Sequence, residues 1–282
     1  MNKRIGALRI VLEIIRRFRE DEVPALGAQM TFYLILSLFP FAIFLLTLMS
    51  YTPITAEQIT ANLVMVMPES AESIVLGIYR DVMGDSSPTL LSIGMIGSIW
   101  AASRGMLSLI RTINKAYDEK ERRPYLKVRF LALVYTVLFA VALIIAFAVL
   151  VFGGRIGEWL AARAELASWQ PLWSLLKNVL SLLLICALFC LVYLGAPARR
   201  IGLREALPGA VFATAGWVAV SALFSIYVSQ FANYTRTYGS LGGIIVLLLW
   251  LYLSSNILLL GGEINAVLAR FRQQQDRKRD GH

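Results

Sequence analysis

Apolar residues run along this chain in long, nearly unbroken blocks separated by short polar segments. Six blocks stand out: Ala25–Ser50, Thr89–Ile110, Val128–Phe152, Ser174–Leu194, Leu207–Phe231 and Ser240–Leu268. Each reaches the roughly 20 residues that a helix needs to cross a bilayer. The period-2 alternation of a membrane barrel is absent from them. Hydrocarbon offers no partner to an open backbone, so each block is predicted to be an α-helix. The expected fold is all-α and polytopic, with one six-helix transmembrane domain at residues 25–268. A basic amphipathic helix precedes it at 1–24, and a basic tail follows at 269–282.

The polar segments carry patterns of their own. In "IGALRIVLEIIRRF", Leu8, Val11, Leu12, Ile15 and Phe18 fall on one helical face, and the interspersed arginines exclude a signal peptide. Two placements fit this helix: flat on the anionic inner leaflet, or packed on the transmembrane helices as an ordinary cytosolic helix. The stretch between the first two spans is broken by proline and rich in acids, namely Glu57, Glu69, Glu72, Asp81 and Asp85 against a single base. Ile74, Ile78 and Val82 recur there at helical spacing, which predicts short amphipathic helices on the outer face. A second outer segment, "GGRIGEWLAARAELASWQPLW", sets Trp159, Trp169 and Trp173 at the level where interfacial aromatics anchor.

Charge changes the picture by its placement. The formal net charge is +9, which alone would suit a nucleic-acid binder. Yet the 27 Lys and Arg residues are unevenly spread: six precede residue 20, seven join spans two and three, three join spans four and five, and five lie in the tail. Only Arg80, Arg155, Arg163, Lys177 and Arg236 fall on the other side. Such asymmetry marks membrane orientation and predicts cytoplasmic termini; nucleic acid is not expected as a partner. Only 16% of residues are charged and the mean hydropathy is +0.67, whereas a soluble domain carries about 25% charged residues. The two cysteines, Cys186 and Cys190, lie inside an apolar run and are expected to pack as small hydrophobes. His282 is the single histidine, so no His-based metal or catalytic site is available. No cofactor is expected.

Polar residues inside the spans are the candidate chemistry. An arginine at mid-membrane costs about 2.5–3.5 kcal/mol on insertion scales. Arg104 precedes Arg111 by two helical turns, and Glu263 precedes Arg270 by the same interval. The two charges are thus expected at matching depth, where an Arg104–Glu263 ion pair would reconcile both with lipid. Trp100 and Ser108 share the face of Arg104; Tyr252 and Asn256 share that of Glu263. The first span offers Gln29, Tyr33 and Ser37, then Pro40, which is expected to kink it. The fifth adds Thr214, Trp217, Ser221 and Ser225. Two readings stand open. The stripes either join helices whose glycines (Gly94, Gly97, Gly242, Gly243, Gly261, Gly262) permit close approach, or line a cavity that binds an anionic or polar-headed substrate. Those glycines also leave open whether such contacts form within one subunit or in a homo-oligomer. "LGGIIV" and "LLGGEI" lack the Lys-[ST] ending of a phosphate-binding loop.

Three blocks, "ALGAQMTFYLILSLFPFAIFLL", "LIRTINKAYDEKERRP" and "YGSLGGIIVLLLWLYLSSNILLLGGEINAVLA", together resemble the YihY/BrkB family of bacterial inner-membrane proteins, over about residues 10–272. The resemblance implies six transmembrane helices and a place in the cytoplasmic membrane. It brings candidate roles in transport, lipid or lipid-precursor translocation and serum resistance. Arg104, Asn114, Tyr117, Gly239, Glu263 and Asn265 fall in the matching blocks and are implied as site residues. The family also once bore a ribonuclease label. Against it, the chain holds no histidine cluster and no polar stretch long enough for a catalytic domain, so no enzyme is expected. The expected function is an inner-membrane transporter or lipid translocase centred on Arg104 and Glu263, with anionic membrane lipids as partners. The alternative is a non-catalytic membrane scaffold for envelope partners.

Overall fold

The structure, a computed structural model, describes residues 3–50, 88–142, 145, 170–230 and 240–280. The helices expected in the first outer segment, Trp159, Trp169, the side chain of Trp173, and Gly239 lie outside the described residues. The described residues form seven helices and no strand: α1 (Lys3–Glu20), α2 (Val23–Ser50), α3 (Pro88–Ala116), α4 (Tyr125–Ala142), α5 (Gln170–Gly195), α6 (Leu203–Gln230) and α7 (Ser240–Asp280).

Among the described residues, five helices are long and apolar enough to cross a membrane, with stretches Val23–Phe41, Leu91–Ala116, Tyr125–Ala142, Leu203–Tyr227 and Gly243–Gln275. α5 contributes a shorter apolar stretch, Val179–Gly195. Large apolar side chains such as Phe39, Leu183 and Leu223 stand exposed on these helices. On a soluble protein so much exposed apolar surface would drive association; on a membrane protein it is the surface that lipid wets. The chain is a multi-pass membrane protein.

Helices outlast their apolar blocks. α3 continues past Ile110 to Ala116, and α7 past Leu268 to Asp280, because the Lys, Arg and Gln that end the apolar pattern still favour helix. What stops α3 is local. Asp118 adopts the left-handed conformation (φ 54°), and the N–H groups of Asp118 and Glu119 return to the carbonyls of Lys115 and Asn114 at 3.0 and 2.9 Å. That pair of bonds is a Schellman closure, in which an aspartate stands where glycine is commoner. Glu22 (φ 56°) ends α1 in a related way, its N–H bonding the Arg19 carbonyl at 3.1 Å.

The chain divides into two compact units. One comprises Gly27–Met106 and Ala219–Ser255. Here α2 remains helical through Pro40, and α3 presents glycine to it: a Cβ on Gly94 would lie 2.8 Å from the Phe44 nitrogen, and one on Gly97 3.2 Å from the Pro40 Cβ. Thr31 reaches Ser255 at 3.4 Å, and the Trp250 indole donates to Ser221 at 3.2 Å.

The other unit comprises Met1–Leu26, Leu107–Val218 and Asn256–His282. Its core includes Leu109, Ile110, Ile113, Val192, Tyr193, Leu259 and Val267. α6 and α7 approach so closely that a Cβ on Gly209 would collide with the Gly261 carbonyl and with Asn265. Gly261 in turn makes room for the Tyr193 hydroxyl, which donates to the Leu258 carbonyl at 2.6 Å.

Candidate functional site

The glycine pair on α7 lets neighbouring side chains and backbone crowd in on the helix. Tyr193, Gly209 and Ile113 close on Gly261 and Gly262, and the next residue, Glu263, is wholly enclosed at 0% exposure. Neither of its carboxylate oxygens has a hydrogen-bond partner among the described residues. The charges that act on it are those of Asp21, Arg17, Asp118 and Lys115.

Those groups form a network at the end of α3. Arg17 of α1 donates to both Asp118 oxygens at 3.2 and 3.3 Å and to Asp21 at 3.4 Å. Arg270 of α7 pairs with Asp118 at 2.7 Å and donates to the Ala116 carbonyl at 2.7 Å. Lys115 meets Glu22 at 3.4 Å. Asp118, held by its left-handed turn, thereby joins α1 and α7 through two arginines. Burial works against the charge on Arg17, but Asp118, Asp21 and Glu263 outweigh it and hold the proton more firmly than usual. Burial pushes the Asp21 carboxyl up, against the pull of Arg17 and Lys115.

Beside the network lies a cavity of about 360 Å³, lined by Glu13, Arg16, Arg17, Val267, Arg270, Phe271 and Gln274. Its arginines are engaged: Arg16 with Glu13 at 2.6 Å, Arg17 and Arg270 with Asp118. Their charge is thus largely met inside the protein.

Asparagines organise the rest of this unit. Asn114 donates to Glu121 at 2.9 Å and accepts from the Ala198 N–H at 2.7 Å, tying the connection after α3 to the one after α5. Glu121 also accepts from the Arg123 backbone and guanidinium. The Arg123 bond is the main reason its carboxyl sits below the usual range. Arg123 donates onward to the Ala196 carbonyl at 2.9 Å. Asn265 takes the Gly209 N–H at 2.6 Å and gives to the Ala206 carbonyl at 3.0 Å. The Arg199 guanidinium lies 4.5 Å over the ring of Tyr117, whose hydroxyl is pushed up by burial, and it pairs with Glu205.

The expected site residues of the Gly27–Met106 and Ala219–Ser255 unit are arranged differently. Arg104 is exposed, with its guanidinium 5.9 Å from the centroid of the half-buried Tyr33 ring. Trp100 is 50% exposed, and Gln29 is exposed as well. Ser37 is buried and donates to the Leu34 carbonyl of its own helix at 2.6 Å. Tyr252 is half-buried. In the unit that holds Glu263, Ser108 is buried and Asn256 half-buried.

Sequence reasoning centres the site on an Arg104–Glu263 ion pair; Arg104 belongs to the Gly27–Met106 and Ala219–Ser255 unit and Glu263 to the other. Counting residues from Arg111 and Arg270 fixes a height along each helix but leaves the rotation about its axis open. Trp100, Arg104 and Arg111 are exposed, while small residues, Ala101, Ser103 and Gly105, supply buried positions of α3. Sequence reasoning misses Arg17, Asp21, Lys115, Asp118 and Arg270 as site residues. The available signal is the set of acids within the basic segments, Asp21, Glu22, Asp118 and Glu119, since an acid there has cations to bridge. Among the described residues, no group of three or more His, Cys, Asp or Glu side chains is placed to hold a metal ion.

Comparison with known proteins bears on the whole of this chain. The family model described as Virulence factor BrkB matches residues 14–282. The chain belongs to the BrkB family. A relative in Bacillus subtilis (strain 168), named ribonuclease-like protein YfkH, is 40% identical over 266 residues, covering 94% of this chain and 96% of its own. Membrane proteins of the UPF0761 group also match. The one from Nitrosospira multiformis is 27% identical, covering 93% of this chain and 62% of its own. That from Alteromonas mediterranea is 28% identical, over 90% and 85%. No solved structure matches this chain. Membership agrees with the resemblance in the sequence blocks, and with the helices above it makes this BrkB-family chain a multi-pass bacterial membrane protein.

Proposed function

We propose that this protein is a six-span transporter or lipid translocase of the bacterial inner membrane, with both termini cytoplasmic, and that Glu263 lies on the path of its substrate. One observation carries the proposal: a carboxyl group wholly enclosed within a membrane-spanning stretch, with no hydrogen-bond partner for either oxygen among the described residues. Such a group is expensive wherever lipid and protein exclude water, and packing alone is served by Ser, Thr and Gly. Arg17, Asp21, Lys115 and Asp118 supply a charged margin of both signs beside it. A mixed margin suits a substrate with a polar or charged head. The ribonuclease wording belongs to the Bacillus relative's name, and no nuclease role is proposed for this chain.

The full-length protein, purified and reconstituted in liposomes, is to be assayed for scrambling of fluorescent phospholipids and for flux of small anions. Glu263→Gln is expected to lower the supported activity about tenfold or more while leaving yield and size-exclusion profile unchanged. Parallel loss of activity and of folded protein would assign Glu263 to packing. No activity in either assay for the unaltered protein would leave the scaffold reading in its place.

A further inference from the structure

α1 has two apolar faces, and the structure accounts for only one. Ile10, Ile14 and Phe18 are half-buried. The other face carries Leu8, Val11, Leu12 and Ile15, exposed by 62, 51, 56 and 49%. At 100° per residue these four fall within one arc; Arg9 and Arg16, both exposed, lie along one border of it, and Arg4 and Arg19 fall on the same arc at either end of the four, beyond Leu8 and beyond Ile15. Sequence periodicity groups Phe18 with the four; in the structure it is half-buried, and the four stay outside.

The position of this face is constrained by the chain. Only Asp21 and Glu22 separate α1 from α2, and the membrane-compatible stretch of α2 begins at Val23. A turn that short keeps the end of α1 within a few ångströms of the membrane boundary. The Arg17–Asp118–Arg270 bridge then fixes which way α1 is rotated. An apolar arc edged by arginines at that level matches the chemistry of an anionic lipid surface, acyl chains below and phosphates beside.

We propose that α1 lies in the headgroup region of the adjoining leaflet, with Leu8, Val11, Leu12 and Ile15 inserted among acyl chains and Arg9 against anionic phosphates. This surface is separate from Glu263, and its test does not depend on transport.

The test uses full-length protein in nanodiscs, with Cys186 and Cys190 replaced by alanine and single nitroxide labels placed by Leu8→Cys, Leu12→Cys, Ile15→Cys, Arg9→Cys and Glu20→Cys. Collision with apolar oxygen and with a polar nickel chelate is then compared. Labels at 8, 12 and 15 are expected to favour oxygen several-fold, and those at 9 and 20 to favour the chelate. Equal chelate access at all five positions would place the face in water and overturn the proposal. Access to neither reagent at 8, 12 and 15 would mean that protein, such as a second copy, covers it, and would overturn it too. Insertion at 12 is expected to be deeper with anionic lipid than with zwitterionic lipid alone, and Arg9→Gln to reduce that difference. The same depth in both lipids would remove Arg9 from the proposal.

Discussion

At the scale of single residues, a buried amide and an exposed carboxylate secure the fold by different bonds. Asn265 is fully engaged: its side chain both accepts and donates across to α6, at 2.6 and 3.0 Å. Asn265→Leu would remove both bonds to α6 and would not fit against Gly209. Each hydrogen bond lost costs about 0.5–1.5 kcal/mol and the misfit adds to it, so a marked fall in thermal midpoint in detergent is expected. Asn265→Asp keeps the acceptor and should lose less. Glu121 offers a pH-dependent counterpart. Its carboxyl is held below its ordinary value of 4.5 by Arg123 and Asn114. A depressed folded-state value means its stabilisation is complete above 4.5 and is lost as pH falls through the lower, folded-state value. The stability gap between the unaltered protein and Glu121→Gln should therefore be widest near neutrality and close in acid below 4.5. A gap unchanged across that window would show that the Arg123 contact contributes nothing measurable.

At the scale of helices, the spans are legible in the sequence and their rotations are not. Each expected block overlaps a described helix, with α3 and α7 running past the ends of theirs, because the absence of water in hydrocarbon leaves the backbone one local solution. Rotation about the axis is written weakly: a span that is apolar all round has little contrast between its lipid and protein faces. The pattern alone leaves the facing of Arg104 and Trp100 open, and in the structure both are exposed. Small residues carry the missing contrast. Gly94 lies where a Cβ would press on the backbone of Phe44 and Pro40, whereas Gly243 has nothing within 4 Å of the same position. Gly94→Ala is expected to lower folded yield, since backbone does not yield as a flexible side chain does. Gly243→Ala should be neutral or slightly stabilising, helix propensity favouring alanine by about 0.8–1.0 kcal/mol. Equal effects at the two glycines, read by fluorescence-detected size exclusion, would contradict the close approach of α2 and α3.

At the scale of the molecule, the uneven placement of Lys and Arg is joined by an independent kind of evidence. Arg17 of the first basic segment bonds Asp118 of the second; Arg270 of the tail bonds the same aspartate; Arg272 of the tail donates to the Arg204 carbonyl at 3.0 Å in the third. Segments that touch through ions and carbonyls share one side of the membrane, which supports an even number of crossings between each pair of them. In the proposed orientation the basic bias makes that side cytoplasmic. A green fluorescent protein fused after His282 should fluoresce, and alkaline phosphatase fused within residues 60–80 should be active, while the reciprocal fusions stay dark and inactive. The sharper comparison removes Arg17 and Arg270 together, as glutamines. If lysine and arginine count alone sets orientation, the loss of two from twenty-one is absorbed, the fusions read as before, and only folded yield falls as Asp118 loses its partners. Inverted or mixed fusion signals would instead mean that the Asp118 bridge itself holds the amino-terminal helix on its side.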